Sequence, residues 1–218
     1  MAQTADQSNN IHLTYSAIAW DKPIHGKLFI QKDGEYTPLN LNASNRTTKR
    51  YYTGPNPLIF YGKSSNPDGT TQFKPIAEAT IPKGVKQALL IFMDEPEETS
   101  STGNQYKVIT LDDSESVFPR NSYRFMNWTG EKVAGKLGDR VFSLTPRSTE
   151  TVMAKESERN LLPFQLVELK DNTHSRIYSK TWHFQPNTRK LVILMPPQEG
   201  KMEKITTKII SDYISPAS

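Results

Sequence analysis

Two stretches of this chain echo one another across its middle. The first runs Ala19-Trp20-Asp21-Lys22-Pro23, then Lys27-Leu28-Phe29-Ile30, a turn at Asp33-Gly34, and Tyr36-Thr37-Pro38-Leu39. The second runs Asn127-Trp128-Thr129-Gly130-Glu131, then Lys132-Val133-Ala134-Gly135, a turn at Gly138-Asp139, and Val141-Phe142-Ser143-Leu144. Each half later reaches its most apolar run, Ala88 to Met93 in one and Leu191 to Met195 in the other. Such an echo means one architectural unit used twice. In a chain of 218 residues, each half is long enough to bury its own core.

Within each half, short alternating runs rich in β-branched and aromatic residues are cut by Gly, Pro, Asn and Asp. That pattern is the signature of strands. In the first half it predicts strands near 11–19, 27–32, 35–40, 47–53, 57–61, 72–80, 86–93 and 105–111. In the second it predicts strands near 120–127, 132–136, 140–145, 148–153, 162–169, 175–184, 188–195 and 203–210. Asp33-Gly34 suits a type I′ hairpin turn, and Gly138-Asp139 a type II′ turn with Gly first. Met153 to Asn160 has helix-forming composition and is expected to give a turn or two of helix. The polar segment Asp112 to Ser116 is the expected junction. It gives a disordered stretch over 1–10, a first repeat over 11–113 and a second over 118–218.

The fold class expected is all-β, an immunoglobulin-like β-sandwich built as two tandem pseudo-repeats. The alternative is one large sandwich pairing strands across the halves. Trp20 and Trp128 occupy equivalent points of the repeat and should be equivalently and largely buried. The runs 88–93 and 191–195 should be central strands covered on both faces, because unbroken apolar residues suit burial on both sides.

Composition narrows the function classes. The apolar runs are far shorter than the ~20 residues a membrane-spanning helix needs. Net charge is +4, from 27 Lys+Arg against 23 Asp+Glu, which is short of the basic stripe of a dedicated nucleic-acid binder. No cysteine is present, so disulfides, thiolate metal sites and cysteine nucleophiles are excluded together. The polar run Ala2 to Asn10 reads as the start of a mature exported chain whose signal peptide has been removed, with Met1 as initiator.

Catalytic patterns are missing. There is no nucleophile-elbow motif, no phosphate-cradling glycine loop and no conspicuous carboxylate pair. The histidines His12, His25, His174 and His183 form no zinc-type pair. His174 and His183 are nine positions apart in one strand, which places them on opposite faces. The acidic run Asp94 to Glu98 matches no calcium spacing and reads as a solvated loop. No cofactor or metal is expected, and the chain is read as not an enzyme.

One surface segment stands out, Asn45 to Gly54. It interleaves Arg46, Lys49 and Arg50 with Tyr51 and Tyr52. Charge combined with flat rings can hold an acidic glycan, a nucleic acid or a protein partner. The same residues can instead guard an edge strand against aggregation. If the segment is extended, Arg46, Thr48, Arg50 and Tyr52 share one face, and Lys49 and Tyr51 the other. Trp182 alternates with Tyr178, Lys180 and Phe184, and reads as core more than as a sugar platform.

The run Tyr123 to Gly138, followed by Val141-Phe142-Ser143-Leu144-Thr145-Pro146, is similar to poorly characterised exported proteins of Verrucomicrobia. One protein of this kind, from Akkermansia, is encoded beside type IV pilus-like components and has an immunoglobulin-like fold. Residues 27–61 and 162–212 carry a weaker likeness. The resemblance implies an exported structural or interaction protein of the bacterial envelope, with envelope or pilus-like partners or self-association. It carries over no site residues. A carbohydrate- or polyanion-binding module resting on the Arg46–Tyr52 segment is the second reading, and an enzyme with a dispersed site the third. No nucleic-acid partner is expected.

Overall fold

The computed structural model describes residues 10–95, 103–155, 159–170, 173–197, 200 and 204–215. Every regular element among them is a strand. In the first half these are β1 (Asn10–Ala19), β2 (Phe29–Lys32), β3 (Glu35–Pro38), β4 (Arg50–Pro55), β5 (Leu58–Ser65), β6 (Thr71–Ala79), β7 (Gln87–Asp94) and β8 (Tyr106–Asp112). In the second they are β9 (Ser122–Asn127), β10 (Lys132–Leu137), β11 (Arg140–Leu144), β12 (Thr149–Met153), β13 (Leu161–Lys170), β14 (Thr173–His183), β15 (Thr188–Met195) and β16 (Thr206–Tyr213). The turn of helix expected after Met153 does not form over Ala154 and Lys155, where β12 has just ended, and residues 156–158 lie outside the described residues. So do most of the expected disordered start and residues 96–102 of the acidic loop and its extension.

The chain divides into two compact units, Met1–Ser114 and Glu115–Ser218. The first unit has sheets ordered β4-β1-β7-β8 and β3-β2-β5-β6. The second has β12-β9-β15-β16 and β11-β10-β13-β14, the same order with every label raised by eight. Each sheet draws all its strands from one half, so the alternative of a single sandwich paired across the halves is set aside. In both units the first strand runs parallel to the seventh, β1 with β7 and β9 with β15. Every other pairing is antiparallel.

In each unit two sheets close on one core. Leu13, Tyr15 and Ala17 of β1, with Leu90 and Phe92 of β7, meet Leu58 and Phe60 of β5. The Phe60 and Phe92 rings lie edge to face, 4.8 Å apart. In the second unit Phe125 of β9 stacks on Phe142 of β11 at 4.4 Å and on Phe164 of β13 at 5.1 Å. Trp182, half-buried, packs against the same aromatic group, 4.3 Å from Phe164, and so belongs to the margin of the core. The strongest apolar runs form the inner strands β7 and β15, and Leu89–Phe92 and Leu191–Leu194 are buried throughout on both faces.

The hairpin turns follow their residues. Asp33 and Gly34 both have positive φ, 51° and 84°, as type I′ requires. Gly138 has φ 56° while Asp139 is not in the left-handed region, as type II′ requires. Trp20 and Trp128 each follow the first strand of their unit, and their N–H groups donate to Phe92 and Leu194 carbonyls, both at 2.7 Å. The two positions are equivalent. Both rings are only half-buried, because the chain is leaving the sheet at that point.

A β-bulge is repeated too. The β5–β6 register shifts between Phe60 and Tyr61, leaving Ile76 as the extra residue, and the β13–β14 register shifts between Leu166 and Val167, leaving Ile177. The bulge corrects the expectation for the histidines. His174 pairs with Leu169 and His183 with Leu161, so both lie on the same face of the sheet. An extra residue resets the alternation that a simple count of nine assumes.

Each unit also holds a buried Arg–Asp pair at the end of its last strand. Nη1 of Arg46 donates to both carboxylate oxygens of Asp113, at 2.9 and 3.0 Å. Nε and Nη2 of Arg189 donate to Oδ2 of Asp212 at 2.9 and 2.8 Å, and its Nη1 donates to the Phe118 carbonyl at 2.9 Å. The two aspartates are equivalent: Asp113 N–H bonds to Gln87, and Asp212 lies in register with Arg189, the counterpart of Gln87. The arginines come from different places, a loop in one unit and a strand in the other.

Candidate functional site

The site is built from the flank where the edge strands β3 and β4 of the first unit lie. β2 pairs with β5 only at Phe29–Tyr61 and Ile30–Phe60, and then the strands part. The corresponding strands β10 and β13 stay paired over six positions, from Lys132–Leu169 to Leu137–Phe164. The early parting opens a groove of about 730 Å³. Its walls include Tyr15, Arg50, Tyr51, Tyr52 and Tyr61, with Lys32 and Asp33 at the hairpin tip.

β4 sets the positions of three of these. Arg50 pairs with Tyr15 and Tyr52 with Leu13, so both lie on the core-facing side of the edge strand. Tyr52 leans along the strand over Gly54, where a Cβ would come within 2.6 Å of the Tyr52 hydroxyl. That hydroxyl donates to the Pro55 carbonyl at 2.8 Å. Tyr51 points the other way and is 82% exposed. Tyr61 is braced edge-on by Tyr36 at 5.1 Å.

The electrostatics favour neutral phenols and one cation. Burial pushes the Tyr15 hydroxyl up to about 12, with Arg50 opposing. Burial also raises Tyr52 and Tyr61, and their neighbouring phenols Tyr61 and Tyr36 add to it. Arg50 Nε is buried and has no hydrogen-bond partner among the described residues.

The segment singled out in the sequence therefore divides. Arg50 and Tyr52 face the groove, Tyr51 stands exposed at its rim, and Lys49 is exposed just before β4. Arg46 does not take part. The strand begins at Arg50, so the alternation assumed from Arg46 fails, and Arg46 is held by Asp113 with its side chain 6% exposed. Sequence reading missed Tyr15, Lys32 and Tyr61, which reach the groove from β1, β2 and β5. No local pattern joins them, because only the fold brings these strands to one flank.

Other residues of the sequence motifs are structural. Asn127 is buried, its Nδ2 donating to the Glu131 and Leu144 carbonyls and its Oδ1 accepting from Thr129 N and Oγ1. It ties the turn after β9. Among the described residues no group of three His, Asp or Glu side chains converges as a metal site. Among the described residues, too, no helix is long and apolar enough to cross a membrane. No protein-family model matches the chain, and no curated protein is significantly similar to it.

Proposed function

We propose that the protein acts by binding and not by catalysis, as an exported structural and interaction protein of the bacterial envelope. Its partner surface is the open β3–β4 flank of the first unit. The observation that carries this reading is the groove itself, lined by rings and one arginine at a sheet edge. Edges and grooves of sandwiches recognise partners by shape and backbone without catalytic equipment. The envelope setting, including a place in a pilus-like assembly, rests on the sequence resemblance.

The test uses the whole protein and isolated cell envelopes of the source bacterium. Wild type should co-sediment with the envelopes, and an Arg50→Glu/Tyr51→Glu variant should lose most of that retention. A Val141→Glu variant, altering an exposed residue of the second unit, should keep it. Retention unchanged in the Arg50→Glu/Tyr51→Glu variant would overturn the assignment of this flank.

A further inference from the structure

The second unit serves as an internal control for the first. Matching the ladders residue by residue, Val152 stands where Arg50 stands, since each pairs with the tyrosine of its first strand, Tyr123 or Tyr15. Met153 answers to Tyr51, and Ala154, the next residue, to Tyr52. Val167 answers to Tyr61, immediately beyond the shared bulge. The second unit reaches the same strand order and the same bulge with four aliphatic or thioether side chains at these positions. The fold therefore does not require an arginine and three tyrosines there. All four nonetheless line one groove. A recess of about 590 Å³ exists on the same flank of the second unit, and cations line it too, Lys136, Arg140 and Lys155, but no ring does.

From this divergence we infer that the groove of the first unit is a saccharide site for a sugar acid: Arg50 takes the carboxylate, Tyr52 and Tyr61 take the ring, and Tyr51 at the rim adds contact to the part of the saccharide that extends outward. The inference rests on the binding reading above and names its ligand class. A guanidinium fork matches a planar carboxylate, and a buried Nε without an acceptor is costly to leave unpaired. Tyrosine offers a flat face to the apolar side of a pyranose and a hydroxyl to its rim, with little rotamer freedom to lose. The Tyr52 and Tyr61 phenols are both protonated at neutral pH. Tyr61 can donate to the sugar rim, while the Tyr52 hydroxyl, already donating to the Pro55 carbonyl, can accept from it. Tyr51 leaves most of its surface open to a ligand. Lys32 is offset by Asp33 at the hairpin tip, which leaves Arg50 as the net charge of the lining and suits one carboxylate at a time. A nucleic acid would need a track of phosphate-neutralising cations, which this wall lacks. The groove volume falls in the usual range of ligand sites, roughly 300–1,000 Å³, and accommodates a few sugar rings.

The experiment is calorimetric titration of the full chain with α-1,4-linked trigalacturonic acid and with its methyl ester, which keeps the rings and loses the charge. Wild type should bind the acid about tenfold more tightly than the ester, the size of one charge-assisted contact. Arg50→Gln should remove that preference and leave the ester unchanged. Tyr51→Ala alters an exposed side chain that the fold does not use, and it should weaken both forms several-fold. A heparin tetrasaccharide that binds Arg50→Gln as well as wild type would show a general polyanion surface and overturn the inference. So would absence of acid binding at millimolar concentration, or an acid-to-ester ratio unaltered by Arg50→Gln. If envelope retention still depends on Arg50 and Tyr51 while the sugar acid fails to bind, this inference falls alone and the binding reading stands.

Discussion

The two units share strand order, parallel first pair, bulge and terminal aspartate, yet they line the same flank with different side chains. In the second unit the recess on this flank has an inner side filled by an aromatic ring of the edge strand. Gly135 and Phe142 are paired on neighbouring strands, and the Phe142 ring lies over the glycine and stacks on Phe125 at 4.4 Å. In the first unit the same two positions are Ile30 and Thr37. Bulk has moved from the edge strand to its neighbour, and Thr37 is exposed. The β10–β13 ladder stays closed where the β2–β5 ladder opens. One scaffold thus yields a recess without aromatic rings or a larger, ring-lined groove, depending on a few side chains at an edge. The shared architecture is held by positions deeper in the sheets.

The sharpest way to break the comparison is at the buried ion pairs. Arg46→Ala and Arg189→Ala should each cost about 3–5 kcal/mol, because each strands a carboxylate that the fold has paired. Asp212 keeps 26% of its side-chain surface, against 4% for Asp113, so the second unit should lose less. Replacing Arg46 and Asp113 together by leucine should cost less than Arg46→Ala alone. Urea titrations followed by tryptophan fluorescence measure all three. Equal losses for the single and double changes would mean that the pair is not the element holding the strand end.

A smaller effect tests the exchange of bulk. A Cβ at Gly135 would sit 2.2 Å from Cζ of Phe142, so Gly135→Ala should cost about 1–3 kcal/mol through overpacking. Gly135→Ile/Phe142→Thr, which installs the pair of the first unit, should be better tolerated than Gly135→Ile alone. If the double variant is no more stable than the single one, the two flanks differ by more than this exchange.

The smallest effect lies at the matched tyrosines. Burial raises Tyr15 and Tyr123 to about 12 in the folded protein, against 10.0 for a free phenol. The folded state therefore holds these protons more tightly. Their contribution is complete below about pH 10 and is lost as pH rises from there toward 12. Tyr15→Phe and Tyr123→Phe should each flatten that alkaline loss. The Tyr123 hydroxyl is buried without a partner among the described residues, so Tyr123→Phe should change stability by less than about 1 kcal/mol at neutral pH. Thermal melts across pH 7 to 11 separate these outcomes.

Much of the architecture was legible because it is written in local patterns. Asp33-Gly34 and Gly138-Asp139 name their own turns, and unbroken runs such as Leu89–Phe92 mark strands buried on both faces. The bulge was not legible, since Ile76 and Ile177 read as ordinary strand residues. The site was legible only in part. Arg50, Tyr51 and Tyr52 are consecutive and visible, whereas Tyr15 and Tyr61 join them through pairing that no window of sequence displays. Arg46 looked like a surface cation because its partner Asp113 lies at the far end of the unit.

The parallel pair has a consequence for how the chain is made. In each unit the first strand is hydrogen-bonded on one side to a strand that emerges from the ribosome only after five others have been synthesised. The contacts that fix it are therefore non-local, and non-local pairing is slow. Asp113 and Asp212, which close the buried ion pairs, come later still. Each half is committed only when its last strand is complete, and until then its most apolar run waits with an open edge. A chain built this way is expected to depend on a chaperone during synthesis more than its small, regular units would suggest.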